Sequence, residues 1–208
     1  MLNWIGKMQQ PKANLAIALL HYPVYNKLHE VVTTALTNLD LHDIARSSRT
    51  FGLDRFYIVT PSQDQQALAL RITGHWQAGW GAAYNPDRKE ALDIVRVCDT
   101  LIDARTDFQS GFTEPVRTVI TGAANRSGSI SCQDFRQMLG NSESPYLLLL
   151  GTGWGLTEAC FDTADHILEP IAGAGTYNHL SVRSAAAIML DRLKGTPIDS
   201  HIHEQRET

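Results

Sequence analysis

One stretch constrains this chain more than any other. Tyr146-Leu147-Leu148-Leu149-Leu150 reads as a buried strand, and it runs straight into Gly151-Thr152-Gly153-Trp154-Gly155-Leu156. A strand followed by Gly-x-Gly marks a place where a nucleotide or nucleoside can approach bare backbone, because a Cβ would block close contact. In the usual nucleotide-binding fold that turn comes first and most of the sheet is built after it. Here only 52 residues follow Leu156 in a chain of 208. A doubly wound fold needs several further strand–helix units, each of roughly 30 residues, so another architecture is required.

The remaining pattern alternates strands with helices. Leu15 to Leu20 is an apolar run closed by His21-Tyr22-Pro23, and Phe56 to Thr60 is β-branched and aromatic up to Pro61. Val116 to Thr121 and His166 to Glu169 complete the expected strands, each ending at Gly or Pro. Helices are expected after Asp40 or Asp43 as N-cap with Gly52 as its left-handed end, and over 64–72, 90–97, 132–139 and 182–193. Ile94 and Val95 should face inward. Thr100-Leu101-Ile102 reads as a short strand or a helix end, and the Gly- and aromatic-rich segment 74–86 as irregular. Such alternation argues a mostly parallel sheet flanked by helices.

The length suits one domain, expected over 1–197, with a polar tail from 198 to 208. A net charge of −4 gives no global basic footprint for nucleic acid, although a local patch remains compatible with it. Cys98, Cys132 and Cys160 are odd in number and far apart, which reads as reduced structural cysteines in a cytoplasmic protein, with no metal site. No apolar run approaches the ~20 residues that span a bilayer.

The turn admits several readings. It could be a structural turn packing Trp154 into the core. As a dinucleotide fingerprint it lacks its third glycine, replaced by Leu156, and that reading fails on the residue count. A second glycine-bearing strand exit follows closely, however: Ile167-Leu168-Glu169-Pro170-Ile171 leads through Gly173-Ala174-Gly175 and Tyr177-Asn178-His179-Leu180-Ser181 into an alanine-rich helix. Two such exits near the C-terminus make a paired-loop site.

These residues resemble the SPOUT superfamily of knotted RNA methyltransferases, and within it a small bacterial subfamily of SAM-dependent RNA methyltransferases. Leu147 to Leu156 looks like its second motif, and Ile167 to Ile188 like its third. Asp40-Leu-His-Asp-Ile-Ala-Arg46…Phe51-Gly52 resembles the first motif of the ribose 2′-O branch, with Asp40 in place of that motif's Asn. The resemblance implies an α/β-knot: a mostly parallel sheet whose C-terminal part, about 116–193, threads a deep trefoil knot. It also implies a homodimer acting on tRNA or rRNA, with methylation of a ribose 2′-O or a base nitrogen left open. A knotted module that binds RNA or nucleotide without catalysis is the alternative.

S-adenosylmethionine would then lie among three strand exits: Thr121, Gly122 and Ala123; Gly151, Thr152, Gly153, Trp154 and Leu156; and Leu168, Glu169, Pro170 and Ile171 with Leu180 and Ser181. Arg46 is the implied catalytic guanidinium, although Arg49 stands nearby, and Arg46 could equally be a helix-surface ion-pair partner. His179 is the candidate base, or else a hydrogen-bonded loop histidine. Ser181 could simply cap the helix that follows. His75, Trp76, Trp80 and Tyr84 could stack bases or pack an irregular segment.

Overall fold

The computed structural model describes residues 13–78 and 80–196, so the polar tail from 198 lies outside the described residues. In chain order the elements are β1 (Leu15–Leu20), β2 (Val24–Tyr25), β3 (Val31–Val32), α1 (Asn38–Thr50), β4 (Phe56–Val59), α2 (Gln63–Gln77), α3 (Trp80–Tyr84), α4 (Pro86–Leu92), β5 (Val95–Cys98), α5 (Leu101–Gln109), β6 (Arg117–Thr121), α6 (Cys132–Asn141), β7 (Tyr146–Gly151), α7 (Glu158–Asp162), β8 (His166–Leu168) and α8 (Val182–Lys194).

Six strands form one sheet in the order β5-β4-β1-β7-β6-β8, every neighbour parallel. The centre falls where the sequence is most continuously apolar. All six residues of β1 are fully buried, and Tyr146 to Leu150 nearly so, as strands covered on both faces require. Alternate residues feed two cores. Leu15, Ile17, Leu19, Leu148 and Leu150 pack with side chains of α1, α2, α6 and α8. Ala16, Ala18, Leu20, Leu147 and Leu149 pack with Phe108 of α5 and with Cys160 and Phe161 of α7. Among the described residues no helix is long and apolar enough to cross a membrane.

Several local expectations give way. Thr37, not Asp40 or Asp43, caps α1: the Asp40 N–H donates to its hydroxyl at 3.1 Å, and that hydroxyl donates back to the Asp40 carboxylate at 2.6 Å. Gly52 does take the left-handed conformation, with φ of 80°. The helix expected over 90–97 ends at Leu92, and Val95–Cys98 becomes the edge strand β5. Its alternating Val-Arg-Val pattern suits a strand hydrogen-bonded on one side only. Ile94 and Val95 still face inward.

Segment 74–86 is largely helical rather than irregular. α2 continues to Gln77, α3 forms a single turn, and Asn85 caps α4 by accepting from the Arg88 N–H at 2.9 Å. Pro86 sits at the first helical position, where its missing N–H costs nothing. Thr100 and Asp103 form a reciprocal capping box that launches α5.

Candidate active site

β7, β6 and β8 lie side by side and point the same way. Their registers place Gly151, Thr121 and Leu168 at one edge of the sheet. The three loops singled out in the sequence therefore leave adjacent strands at their C-terminal ends, where open α/β sheets bind ligands. They are also tied together. The Asn178 amide donates to the Ala123 carbonyl at 3.2 Å, joining the third loop to the first.

β6 and the connection leaving it hold β8 from both sides. Thr121 pairs with Leu168 on one flank. On the other, the Ile130 N–H donates to the Ile167 carbonyl at 2.8 Å, and the Glu169 N–H donates to the Ile130 carbonyl at 3.0 Å. The Glu169 carboxylate accepts from the Cys132 N–H at 3.0 Å, which anchors the start of α6 to the end of β8. One carboxylate oxygen of Glu169 is thus committed to a structural bond. From Pro170 to Ser181 no backbone N–H donates to a backbone carbonyl among the described residues.

The glycines of the second exit are needed for a reason other than ligand approach. A Cβ on Gly151 would stand 2.7 Å from Leu156 Cγ, and one on Gly153 would stand 2.9 Å from the Tyr25 carbonyl oxygen. Gly153 and Gly155 also have φ of 60° and 100°, a region costly for residues with a Cβ. The turn is docked on the hairpin of β2 and β3: the Trp154 N–H donates to Tyr25 and the Tyr25 N–H donates to Gly155, both at 2.9 Å. Trp154 does not pack into the core. It is 60% exposed, while Leu156 beside it is buried.

A polar chain beneath this turn was not anticipated. His21 follows β1 directly and is fully buried. Its Nδ1 lies 3.2 Å from Thr34 Oγ1, Thr34 is hydrogen-bonded to the Thr152 hydroxyl, and Thr152 donates to the Leu20 carbonyl at 3.1 Å. Because that run of donors ends on a carbonyl, the proton belongs on Nδ1 and Nε2 is left as an acceptor. Nε2 is buried without a partner. Burial therefore pushes the imidazole pKa down to about 4, only partly opposed by Asp40. The available signal was its position: a histidine at the C-terminal end of the central strand.

Asp40 also locks the third loop in place. Arg183, in the first turn of α8, reaches it at 3.2 Å and Asp43 at 3.5 Å. Ser181 caps the same helix, accepting from the Ser184 N–H at 3.3 Å. Arg46, one turn beyond Asp43, is exposed and makes no ion pair among the described residues. Arg49 is the one paired, with Glu90. His179 is exposed and packs edge-on against Tyr177 at 5.3 Å. Leu168 is buried at the floor, Pro170 and Ile171 are half-buried, and Leu180 is 47% exposed. Gly122 and Ala123 are exposed, and the hydroxyl of Thr121 is buried with no partner among the described residues.

Comparison with known proteins places this arrangement. Residues 14–195 match the family model described as SAM-dependent RNA methyltransferase. A protein of Oleidesulfovibrio alaskensis named tRNA (guanine-N(1)-)-methyltransferase is 46% identical over 187 residues, 90% of this chain but 43% of its own length. The corresponding Nitratidesulfovibrio vulgaris protein is 44% identical, again over 43% of its length. The chain thus spans less than half of these relatives. A protein of Aquifex aeolicus is 38% identical over 86% of this chain and 88% of its own. Among solved structures, the SpoU methyltransferase AviRb of Streptomyces viridochromogenes with AdoMet shares the fold at TM-score 0.53 and 15% identity, covering 88% of this chain and 57% of that one. The sheet, the strand exits and the match across nearly all described residues agree: the chain belongs to the SAM-dependent RNA methyltransferase family, with the SpoU/TrmH (SPOUT) fold.

Proposed function

We propose that the exits of β6, β7 and β8 hold S-adenosylmethionine and that Arg46 positions an RNA nucleotide against it. The carrying observation is the adjacency of the three exits around a buried hydroxyl, Thr121 Oγ1, that has no partner among the described residues. A buried polar group without a partner is costly, and a ligand hydroxyl or ring nitrogen would relieve it. Backbone N–H groups from Ile171 to Ser181, which donate to no backbone carbonyl among the described residues, can read adenine edges, and Leu156 and Leu168 can lie against the ring. These features fit the cofactor. Gly122, Ala123, Gly151, Thr152, Gly153, Trp154, Glu169, Pro170, Ile171, Leu180 and Ser181 complete the enclosure. S-adenosylhomocysteine is the product.

When bound, S-adenosylmethionine supplies an electrophilic methyl group. The task left to the chain is to place a nucleophile in line with it and to keep water out. The Arg46 guanidinium, exposed and without an ion pair among the described residues, can hold a phosphate or hydroxyl by two donors. His179 is the group in this loop able to accept a proton from the attacking atom. Exposed Trp154, Tyr177 and Leu180 suit closure by RNA or by a second subunit, so a homodimer is part of the proposal. The hold of β6 and its following connection on the two flanks of β8 supports a C-terminal trefoil knot within a single domain. The names of the two longer relatives favour tRNA as the RNA, and a tRNA substrate would put the enzyme in the cytoplasm.

Calorimetric titration with S-adenosylhomocysteine tests the cofactor site. Binding by the wild type is expected, weakened at least tenfold by Leu180→Glu, a surface change that leaves the core untouched. No heat at millimolar ligand with folded protein would overturn the reading. Transfer of labelled methyl to tRNA from a deletion strain, followed by nucleoside mass spectrometry, identifies the methylated atom.

A further inference from the structure

On α3, Trp80 and Tyr84 stand one helical turn apart with ring centroids 4.6 Å from each other and planes 17° apart. They are 71% and 70% exposed. Stacked on one another, they present outer ring faces to solvent instead of packing into the core. Trp76, by contrast, is taken up by the protein, edge-on to His42 and covered by the Arg88 guanidinium at 4.4 Å. The two exposed rings are thus surplus to folding. A paired aromatic surface of this kind offers a platform on which an unpaired base can stack.

The chain continues from Tyr84 into a cleft of about 570 Å³ lined by Asn85, Asp87, Arg88 and Glu90 of the α4 region and by Arg46 and Arg49 of α1. That volume lies within the range of small-ligand pockets. Three guanidiniums face two carboxylates, and one of those carboxylates, Glu90, is already paired with Arg49. The Arg88 guanidinium is held over the Trp76 ring, which fixes one of the three cations at the cleft wall. A phosphate suits this excess of guanidiniums over carboxylates.

The cleft shares α1 with the proposed methyl-transfer site. Asp40 and Asp43 of α1 receive Arg183 from the first turn of α8, just after the loop that would enclose the cofactor, and Arg46 and Arg49 follow on the next turns. Six residues of helix separate Asp43 from Arg49, about 9 Å at 1.5 Å per residue, the reach of one or two nucleotides. We propose that the α3–α4 surface is an RNA-docking subsite: an unpaired base flanking the target nucleotide stacks on Trp80 and Tyr84, and its phosphate sits among Arg46, Arg49 and Arg88.

This inference rests on the RNA reading above, and the test separates the two. Fluorescence anisotropy would follow a labelled 12-nucleotide single-stranded oligoribonucleotide and an unmodified tRNA transcript, with S-adenosylhomocysteine calorimetry run on the same proteins. The double variant Trp80→Ala, Tyr84→Ala should bind both RNAs about 5- to 150-fold more weakly while binding S-adenosylhomocysteine as the wild type does. Arg88→Ala should lower the slope of log affinity against log salt by about 0.7 for the oligoribonucleotide, and the aromatic variant should leave that slope unchanged. Unaltered RNA affinity in the aromatic variant overturns the subsite. So does a change in its sedimentation with RNA affinity retained, which would assign the rings to a protein interface. Loss of S-adenosylhomocysteine binding by the wild type would instead count against the cofactor reading.

Discussion

Acid should loosen this fold through one histidine. His21 is buried, donates from Nδ1 toward Thr34, and has no acceptor at Nε2. Protonating Nε2 would place a cation where no group accepts its proton, so the folded-state pKa falls to about 4 from an ordinary 6.5. Between those values the unfolded chain carries the proton and the folded chain does not. Stability is therefore complete above about pH 6.5 and declines as pH falls toward 4. The full difference corresponds to about 3 kcal/mol at 1.36 kcal/mol per unit. Roughly 2 kcal/mol of it should disappear between pH 7 and pH 5. Urea unfolding at half-unit steps from pH 7.5 to 4.5 would measure it, with His21→Asn as reference because the amide can still donate to Thr34. The reference should be flatter by about 2 kcal/mol over that interval. Parallel profiles for the two proteins would refute the argument, since every other titrating group is common to both. Because Thr34 also holds Thr152, acid should loosen the glycine turn and weaken S-adenosylhomocysteine binding over the same range.

Two substitutions probe the exits themselves. Gly151→Ala forces a Cβ within 2.7 Å of Leu156 and should cost about 1–3 kcal/mol, whereas Gly173→Ala, whose nearest neighbour is the Tyr177 carbonyl at 3.4 Å, should leave the urea midpoint within about 0.5 kcal/mol of wild type; equal effects would contradict the geometry. Thr121→Val removes a buried hydroxyl without a partner and should stabilise the fold by about 1 kcal/mol while lowering S-adenosylhomocysteine affinity about tenfold, and unchanged affinity would take Thr121 out of the site.

Much of the sheet was legible because burial on both faces writes itself locally. Leu15 to Leu20 and Tyr146 to Leu150 are apolar at every position, and no partner need be known to read them as central strands. The hairpin of β2 and β3 was not legible, since two-residue strands carry no period. Val95–Cys98 was misread because a four-residue alternating run abutting a helix is compatible with either element. The capping box at Thr100 and Asp103, by contrast, is local chemistry that the chain spells out at the start of α5.

At the site the division is the same. Sequence alone marked two glycine-bearing strand exits, because turns are local chemistry, and the family resemblance added the exit at Thr121 and Arg46. The tertiary structure decided what those residues touch. It assigned the ion pair to Arg49 and left Arg46 unpaired, brought Trp154 to the surface, and tied Glu169 to α6. It also carried Thr34 across 118 positions to Thr152, and Arg183 across 143 to Asp40. Such contacts follow from the order β1-β7-β6-β8. Backbone pairing between distant segments fixes that order, and backbone groups are identical in every residue, so the pattern of side chains along the chain carries the strands but not their neighbours.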